Sequence, residues 1–509
     1  MSDTAGTPRA TRREWIGLAV IALPCLLYSM DLTVMNLAVP HISADLKPTG
    51  AQLLWMVDIY GFMIAGSLIT MGTLGDRIGR RRLLLMGAAA FGIASVLAAL
   101  STTAGMLIAT RALLGLAGAT LAPSTLSLIR NMFPNPEQRT VAIGVWITSY
   151  STGGAIGPLV GGLLLEHFWW GSVFLVSVPV MVLLLVLGPA LLPEYRDADA
   201  GPLDLPSAVQ SLAAVLAVIY GLKRIAEDGV GWLPAVCILA GLAIGAAFLR
   251  RQRTLTSPLI DLALFRAPAF SAALVINTLS FFGAFGAFLF IAQYLQLVIG
   301  LSPLQAGLWS VPSALGFIVG SMLVPLIVRH ISSGLAVVAA LALSVVGFGV
   351  LTQVGGASGL TILVTGSVIF SLGLAPVVTL GTDLIVGSAP PGRAGAAAAI
   401  SETSSEFGGA LGIAVLGSVV TAVYSHAMAD TVLSGVPPAA MQTVRSTLGG
   451  AVAVAAELPG TSGAALLDTS RDAFAQAFQV TATISAALLL ATTILAAVML
   501  RQTRTSAVG

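Results

Sequence analysis

The chain has 509 residues, of which 57% are hydrophobic and only 9% charged, with a mean hydropathy of +0.96. That balance excludes a soluble multidomain protein of this length and puts most of the chain in lipid. A net charge of +2 points to no nucleic-acid partner, and Cys25 and Cys237, both in apolar runs, exclude a disulfide framework.

Arg9, Arg12 and Arg13 precede the first apolar run and no small-residue cleavage site follows it, so a retained first span is expected. Runs of about 20 apolar residues fall near 15–38, 53–73, 83–101, 104–129, 140–166, 170–192, 206–223, 232–250, 269–298, 303–328, 334–353, 360–387, 396–424 and 476–500. They predict fourteen membrane helices. Of the 24 basic residues, eighteen then lie on the side of the N-terminus. Five (Lys47, Lys223, Arg224, Arg445 and Arg471) lie opposite, and Arg111 is inside a span. The positive-inside rule places both termini in the cytoplasm of a multi-pass plasma-membrane protein.

Span 1 carries Asp31 within Leu26 to Pro40. An aspartate there costs at least about 2.5 kcal/mol on insertion scales, which makes it a functional candidate by default. Span 2 opens on Trp55, carries Asp58 and Tyr60, and ends in Gly72-Thr73-Leu74-Gly75-Asp76-Arg77-Ile78-Gly79-Arg80-Arg81-Arg82, where glycines permit a tight turn anchored by arginines. Span 4 holds Arg111-Ala112-Leu113-Leu114-Gly115-Leu116-Ala117-Gly118. In span 5, Gly153-Gly154-Ala155-Ile156-Gly157-Pro158-Leu159-Val160-Gly161-Gly162 spaces glycines so that a neighbouring backbone can approach, and Pro158 permits a bend.

The Gly72 to Arg82 stretch resembles the loop between helices 2 and 3 of the major facilitator superfamily. Arg111 to Ala119 resembles that superfamily's intramembrane-arginine motif, and Gly153 to Gly162 its antiporter motif. Asp31 to Pro40 is similar to the first-helix motif D-x-T-x-x-N-x-A-x-P of the fourteen-span drug:proton antiporters. The resemblance covers nearly the whole chain and is nearest to exporters of quaternary ammonium compounds and dyes. It implies an all-α membrane fold of two six-helix bundles plus an inserted helix pair, with gating by Gly75, Asp76, Arg77, Gly79, Arg80, Gly153, Gly157 and Pro158. It also implies that Asp76 sits against the positive end of a second-half helix starting near Arg393.

Gly153-Gly154-Ala155-Ile156-Gly157 recurs as Gly408-Gly409-Ala410-Leu411-Gly412, each after a turn with proline and arginine. Parallel halves with a site between them are a known carrier plan. The expected division is a tail at 1–14, an N-terminal bundle at 15–192, a linker with spans 7 and 8 at 193–250, a C-terminal bundle at 251–500 and a tail at 501–509. An extracellular loop at about 426–475, rich in small residues, is expected as an amphipathic or membrane-dipping hairpin.

Counting about 1.5 Å per residue, Asp31, Asp58 and Arg111 sit at matching depth, within roughly 12 Å of the outer face. An arginine there keeps its proton and needs a carboxylate. Two acids sharing Arg111 could split roles, one staying ionised and the other exchanging protons; Asp31 is expected to bind proton and cation in turn. Glu402 and Glu406, spaced i, i+4 near mid-span 13 beside Ser401 and Ser405, share a face and should hold at least one proton between them when empty. Proton coupling is thus assigned to Asp31, Arg111, Glu402 and Glu406. Asp383 and Glu166, near span ends, read as structural.

Organic cations are expected against Asp31, Asp58 and Glu406 and the aromatic faces of Tyr28, Tyr60, Trp146, Tyr150 and Phe285, with Phe281 and Trp309 as further candidates. Met30, Met35, Met56 and Met63 offer an adaptable surface. The stretch Ser313 to Ile318 lacks the acid that some dication-exporting relatives carry in span 10, which counts against dications. No His, Cys or Ser/His constellation and no phosphate-binding loop appears, so no enzyme activity, cofactor or metal is expected. The reading is a proton-coupled exporter of lipophilic, mainly monovalent cations, acting as a monomer in membrane lipid. The alternatives are a metabolite or antibiotic exporter or uniporter of the same fold, and a transport-inactive sensor.

Overall fold

The computed structural model describes residues 9–196, 204–228, 231–255, 258–260, 262–355, 358–388, 394–429, 436–458 and 460–502. Helix α1 (Arg12–Leu46) starts at Thr11 with a capping box to Glu14, keeps Pro24 and Pro40 inside it, and ends at Lys47 in the left-handed region. Helix α2 (Gly50–Ile78) starts in the same way at Thr49 and Gln52. It stops at Gly79, whose φ is +111°, a conformation that favours glycine. Helix α3 (Arg80–Ala99) follows at once. Helices α4 (Ala104–Gly118) and α5 (Leu121–Met132) form one span broken at Ala119 and Thr120, and α7 (Ser172–Leu175) and α8 (Ser177–Leu191) form another after α6 (Pro136–His167).

Two helices, α9 (Leu205–Asp228) and α10 (Trp232–Gln252), pack side by side. The second group comprises α11 (Pro268–Gln293, prolonged by a π turn at Tyr294–Val298), α12 (Pro303–Ile327), α13 (Ser333–Leu351), α14 (Gly359–Gly387), α15 (Ala394–Ala429), α16 (Pro438–Ser446), α17 (Leu448–Glu457) and α18 (Gly460–Gln502). Among the described residues no strand occurs, and thirteen helices are long and apolar enough to cross a membrane. They match the predicted segments other than 140–166, which falls within the 32 residues of α6.

The predicted loop at 426–475 is shorter than expected. Helix α15 runs on to Ala429 and α18 already begins at Gly460, leaving the short α16 and α17 between them. This pair folds back on the helix ends: Tyr424 donates to Val444 O, Ser425 donates to Arg445 O, and Gly449 sits against Ser43 of α1. The apolar count misplaced these boundaries because a helix runs on beyond its apolar stretch: Thr469-Ser470-Arg471-Asp472 is polar and made mostly of weak helix formers, yet lies within α18, where packing outweighs propensity.

Repeated glycines do repeated work. A Cβ at Gly153 would lie 2.1 Å from Leu26 O, and one at Gly157 would lie 2.1 Å from Thr33 Oγ1, so α6 lies directly on α1. At Gly408 and Gly412 the corresponding distances are 2.4 Å to Thr278 O and 2.0 Å to Phe282 O, so α15 lies on α11 in the same way. Such close approach replaces the hydrophobic effect, which is weak between helices in lipid.

Alternation of the helices brings Arg12, Arg80, Arg130, Arg139 and Arg250 to one face, here called the arginine face, with the α1–α2 turn and α16–α17 at the far face. The two groups meet from mid-helix to the far face. Gly61 faces Ala410, Leu54 faces Gly417, Gly50 faces Thr421, and Pro158 O faces Gly307. Gln296 Nε2 donates to Leu37 O at 3.1 Å near the same end. Toward the arginine face no described glycine of one group lies against the other, and Glu402, in the interior of α15, is exposed.

Candidate functional site

Arg111 is placed by a glycine one turn later. A Cβ at Gly115 would lie 2.5 Å from Tyr60 O, so only glycine lets α4 settle against α2 closely enough for the guanidinium to reach α2 carbonyls. Nε donates to Met56 O at 3.0 Å, Nη2 to Val57 O at 3.3 Å, and Nη1 to Asp31 Oδ2 at 2.6 Å. The Tyr60 ring lies under the guanidinium at 4.7 Å and that of Phe174 at 5.9 Å. The arginine side chain is 1% exposed and that of Asp31 14%. A charge-assisted bond of that length between buried groups fixes α1 to α4 and leaves one face of the Asp31 carboxylate reachable.

Asp58 does not share this arginine. Its carboxylate takes the ammonium of Lys223 on α9, with Nζ at 2.7 Å from Oδ2 and 3.0 Å from Oδ1, and the Trp55 ring centroid lies 4.0 Å from Nζ. Both side chains are buried, so Lys223, expected in an outer loop, is instead inside a helix that continues for five residues beyond it. The apolar window ended at Lys223, whereas Arg224-Ile225-Ala226-Glu227-Asp228 prolongs the helix with mostly good formers. An acid in α2 without a second arginine at its depth was the signal that a lysine elsewhere must pair with it.

Across the groups, the Tyr28 hydroxyl of α1 donates to Glu406 Oε1 of α15 at 2.9 Å. Tyr28 itself stands edge-on to Tyr150 at 5.5 Å and tilts toward Tyr60 at 6.2 Å, and Trp146 stands edge-on to Tyr150 at 4.8 Å while donating to Thr125 Oγ1. The chain Asp31, Arg111, Tyr60, Tyr28, Glu406 is therefore continuous from the first group to the second. Glu402, one turn from Glu406, is exposed, and neither glutamate has a basic partner among the described residues. Their flank is polar, with Asn277 donating to Ser405 Oγ at 2.8 Å and Thr278 bonded to Ser404 at 2.6 Å.

Several expected cavity residues are packed inside this structure. Tyr28, Tyr60, Met30, Met35 and Met56 are buried, so they fill the core in this conformation where an adaptable open surface was expected. Phe285 covers Gly409 and lies 5.7 Å from Phe281, while Trp309 is exposed.

At the arginine face, Asp76 is bound by Arg80 at 2.5 Å within its own turn. The second-half partner expected near Arg393 lies outside the described residues. The turn is braced by the irregular link after α8, which the sequence did not reveal. Arg80 N donates to Tyr195 O at 2.8 Å, Arg81 N to Glu194 Oε1 at 3.1 Å, and a Cβ at Gly79 would strike that carboxylate at 2.5 Å. Arg77 points outward, and Gly75 makes room for the Arg80 side chain, 3.0 Å from where a Cβ would be.

The sequence profile described as the Major Facilitator Superfamily matches residues 21–413. The chain is 42% identical over 500 residues to the multidrug efflux pump LfrA of Mycolicibacterium smegmatis, covering 98% of this chain and 99% of that one. It is 36% identical to the methyl viologen resistance protein SmvA of Salmonella typhimurium (91% and 93% covered) and 32% identical to the tetracenomycin C resistance and export protein of Streptomyces glaucescens (96% and 92%). Among solved structures it matches an inward-facing, unoccupied bacterial homolog of the human lysosomal transporter Spinster at TM-score 0.65 and 17% identity, over 96% and 99% of the two chains.

Proposed function

The chain belongs to the major facilitator superfamily, among its drug-efflux members, and from that premise we propose that it is a proton-coupled exporter of lipophilic, mainly monovalent organic cations such as quaternary ammonium compounds and dyes. It is a multi-pass membrane transporter of small molecules, not an enzyme. The arginine face is assigned to the cytoplasm, both termini with it, by the positive-inside rule. Counting α6, the spans number fourteen; α1–α8 and α11–α18 form the two moving bundles, with α9 and α10 the inserted pair. Far-face contacts together with the exposure of Glu402 on the arginine-face side support an inward-open state of an alternating-access cycle.

The observation that carries the reading is the Tyr28–Glu406 bond. It joins an acid that has no basic partner among the described residues of one bundle to the arginine-held acid of the other, across the surface that must part in each cycle. Substrate enters from the arginine face toward Glu402, and its positive charge competes with protons for Glu402, Glu406 and the reachable face of Asp31. Gly75 to Arg80 gate the arginine face, and Gly153, Gly157 and Pro158 set the α1–α6 and α6–α12 contacts on which the bundles rock.

The test is purified protein in liposomes with an imposed pH gradient and a panel of tetraphenylphosphonium, a quaternary ammonium dye, methyl viologen, puromycin and tetracenomycin C. Gradient-dependent movement of the monovalent cations supports the reading. Movement of the antibiotics alone supports antibiotic export by the same fold, the reading favoured by the tetracenomycin relative, and no movement of any compound supports the sensor alternative.

A further inference from the structure

Helix α9 rests on two helices from opposite sides of the far-face seam, α2 and α15. Its two contacts differ in kind. Toward α2 it places the Lys223 ammonium on both oxygens of Asp58 and over the Trp55 ring, with both charged side chains at most 1% exposed. Toward α15 the contact is apolar, with Ile219 and its neighbours against Ala410 and Ala414. Separating the first contact would strand two unpaired charges in a medium of low dielectric. The second is non-directional and can be remade after a shift. At the arginine face the Asp204 carboxylate, at the start of α9, takes two bonds from Arg251 at the end of α10, at 2.8 and 3.0 Å, so the two helices are tied into one unit.

We propose that Lys223 and Asp58 pin α9 and α10 to the first bundle, so that the pair travels with α2 while α9 slides over α15 when the far-face seam opens. The proposal rests on the alternating-access reading above. It makes Asp58 and Lys223 positioning residues and removes the Asp58 carboxylate from the set of groups free to meet a substrate cation.

The test uses spin-label distances in the full chain, reconstituted in nanodiscs, with Cys25 and Cys237 replaced by alanine. Labels at Ala51 (α2), Tyr220 (α9) and His426 (α15) are measured in pairs, at acid and alkaline pH, with and without tetraphenylphosphonium. The Ala51–His426 pair reports opening of the seam and should gain a longer component. The Tyr220–Ala51 distribution should remain single and unmoved, while Tyr220–His426 lengthens with the seam. Opening accompanied by movement of Tyr220–Ala51 overturns the proposal alone. A seam that never opens overturns the alternating-access reading and this proposal with it. Lys223→Met should broaden Tyr220–Ala51, and where that variant does not fold, Asp58→Leu with Lys223→Met removes both charges together and should broaden it too. A distribution as sharp as that of the parent in the variant measured shows that the ion pair is not the pin.

Discussion

Tyr28 and Glu406 are 378 residues apart in the chain and 2.9 Å apart in space, and their hydrogen bond links the two helix groups at mid-depth. On the first-bundle side it stands on the Tyr60 ring and the Arg111–Asp31 pair, and on the second-bundle side on a helix packed against α11 through Gly408 and Gly412. A change of charge at Glu406 is thus felt by the donor that bridges the seam.

Replacing Asp31 by asparagine should reduce proton-driven uptake in inverted vesicles to background. It leaves Arg111 with its two carbonyl acceptors and the Tyr60 ring but without a counter-charge. Breaking a buried pair by removing one partner costs about 3–5 kcal/mol, so the melting temperature should fall as well. Restored folding without transport, obtained by adding a ligand or lipid that raises the melting temperature, separates the two effects. Transport at the parent rate would remove Asp31 from the mechanism.

The glycines of α6 offer an internal control. Gly153→Ala puts a methyl 2.1 Å from the Leu26 carbonyl, which must move, whereas Gly144 in the same helix has nothing within 4 Å of a built Cβ. Overpacking costs about 1–3 kcal/mol, while Gly→Ala in a helix otherwise gains roughly 1 kcal/mol. Gly153→Ala should lower the melting temperature and slow transport, and Gly144→Ala should do neither. Equal behaviour of the two would show that the motif is not a packing device.

Asp76 is one-third exposed in its pair with Arg80, so the pair is worth no more than about 1 kcal/mol to stability. Asp76→Asn should therefore leave the melting temperature nearly unchanged and lower the maximal rate with little effect on half-saturation, as befits a group that acts on the conformational exchange. A weakened affinity at unchanged maximal rate would contradict this role.

Most of the helices were legible because lipid demands about 20 apolar residues in a row, and the glycine motifs were legible because backbone approach leaves no room for a side chain. Depth and charge made a pair of Arg111 with Asp31 or Asp58 possible without choosing between them. Depth says nothing of which helix lies beside which, so Asp58 was matched with Arg111 when Lys223 of α9 was its neighbour. Nor could aromatic and sulfur side chains be divided between cavity and core, since Tyr28 and Met30 have the same composition signal as cavity-facing residues and yet are buried. The Glu194 brace on Gly79 joins segments more than a hundred residues apart by setting a carboxylate on the Arg81 backbone N–H, a side-chain-to-backbone contact for which no residue pattern exists.

The final prediction concerns the number of protons moved per cycle. Carrying a monovalent cation outward against an inside-negative potential costs about 2.3 kcal/mol per 100 mV. One proton inward for each cation makes the exchange electroneutral, leaving only the pH difference to drive it, whereas two protons let the potential contribute. The structure keeps two acidic stations apart: Asp31 held by Arg111 at 2.6 Å, and the Glu402–Glu406 pair without a basic partner among the described residues, whose Glu406 is hydrogen-bonded to Tyr28 of the first bundle. Stations with different neighbours can load and unload separately, so at least two protons per monovalent cation are expected. In liposomes without a pH gradient, a valinomycin–potassium potential, negative on the side where substrate binds, should drive tetraphenylphosphonium export. Glu406→Gln should abolish or weaken that voltage dependence, while Tyr28→Phe, which removes only the bridging donor, should shift the pH dependence of the rate and preserve the response to voltage. A wild-type protein insensitive to potential, or a Glu406→Gln variant with unchanged voltage dependence, would show that Glu406 does not carry the second proton.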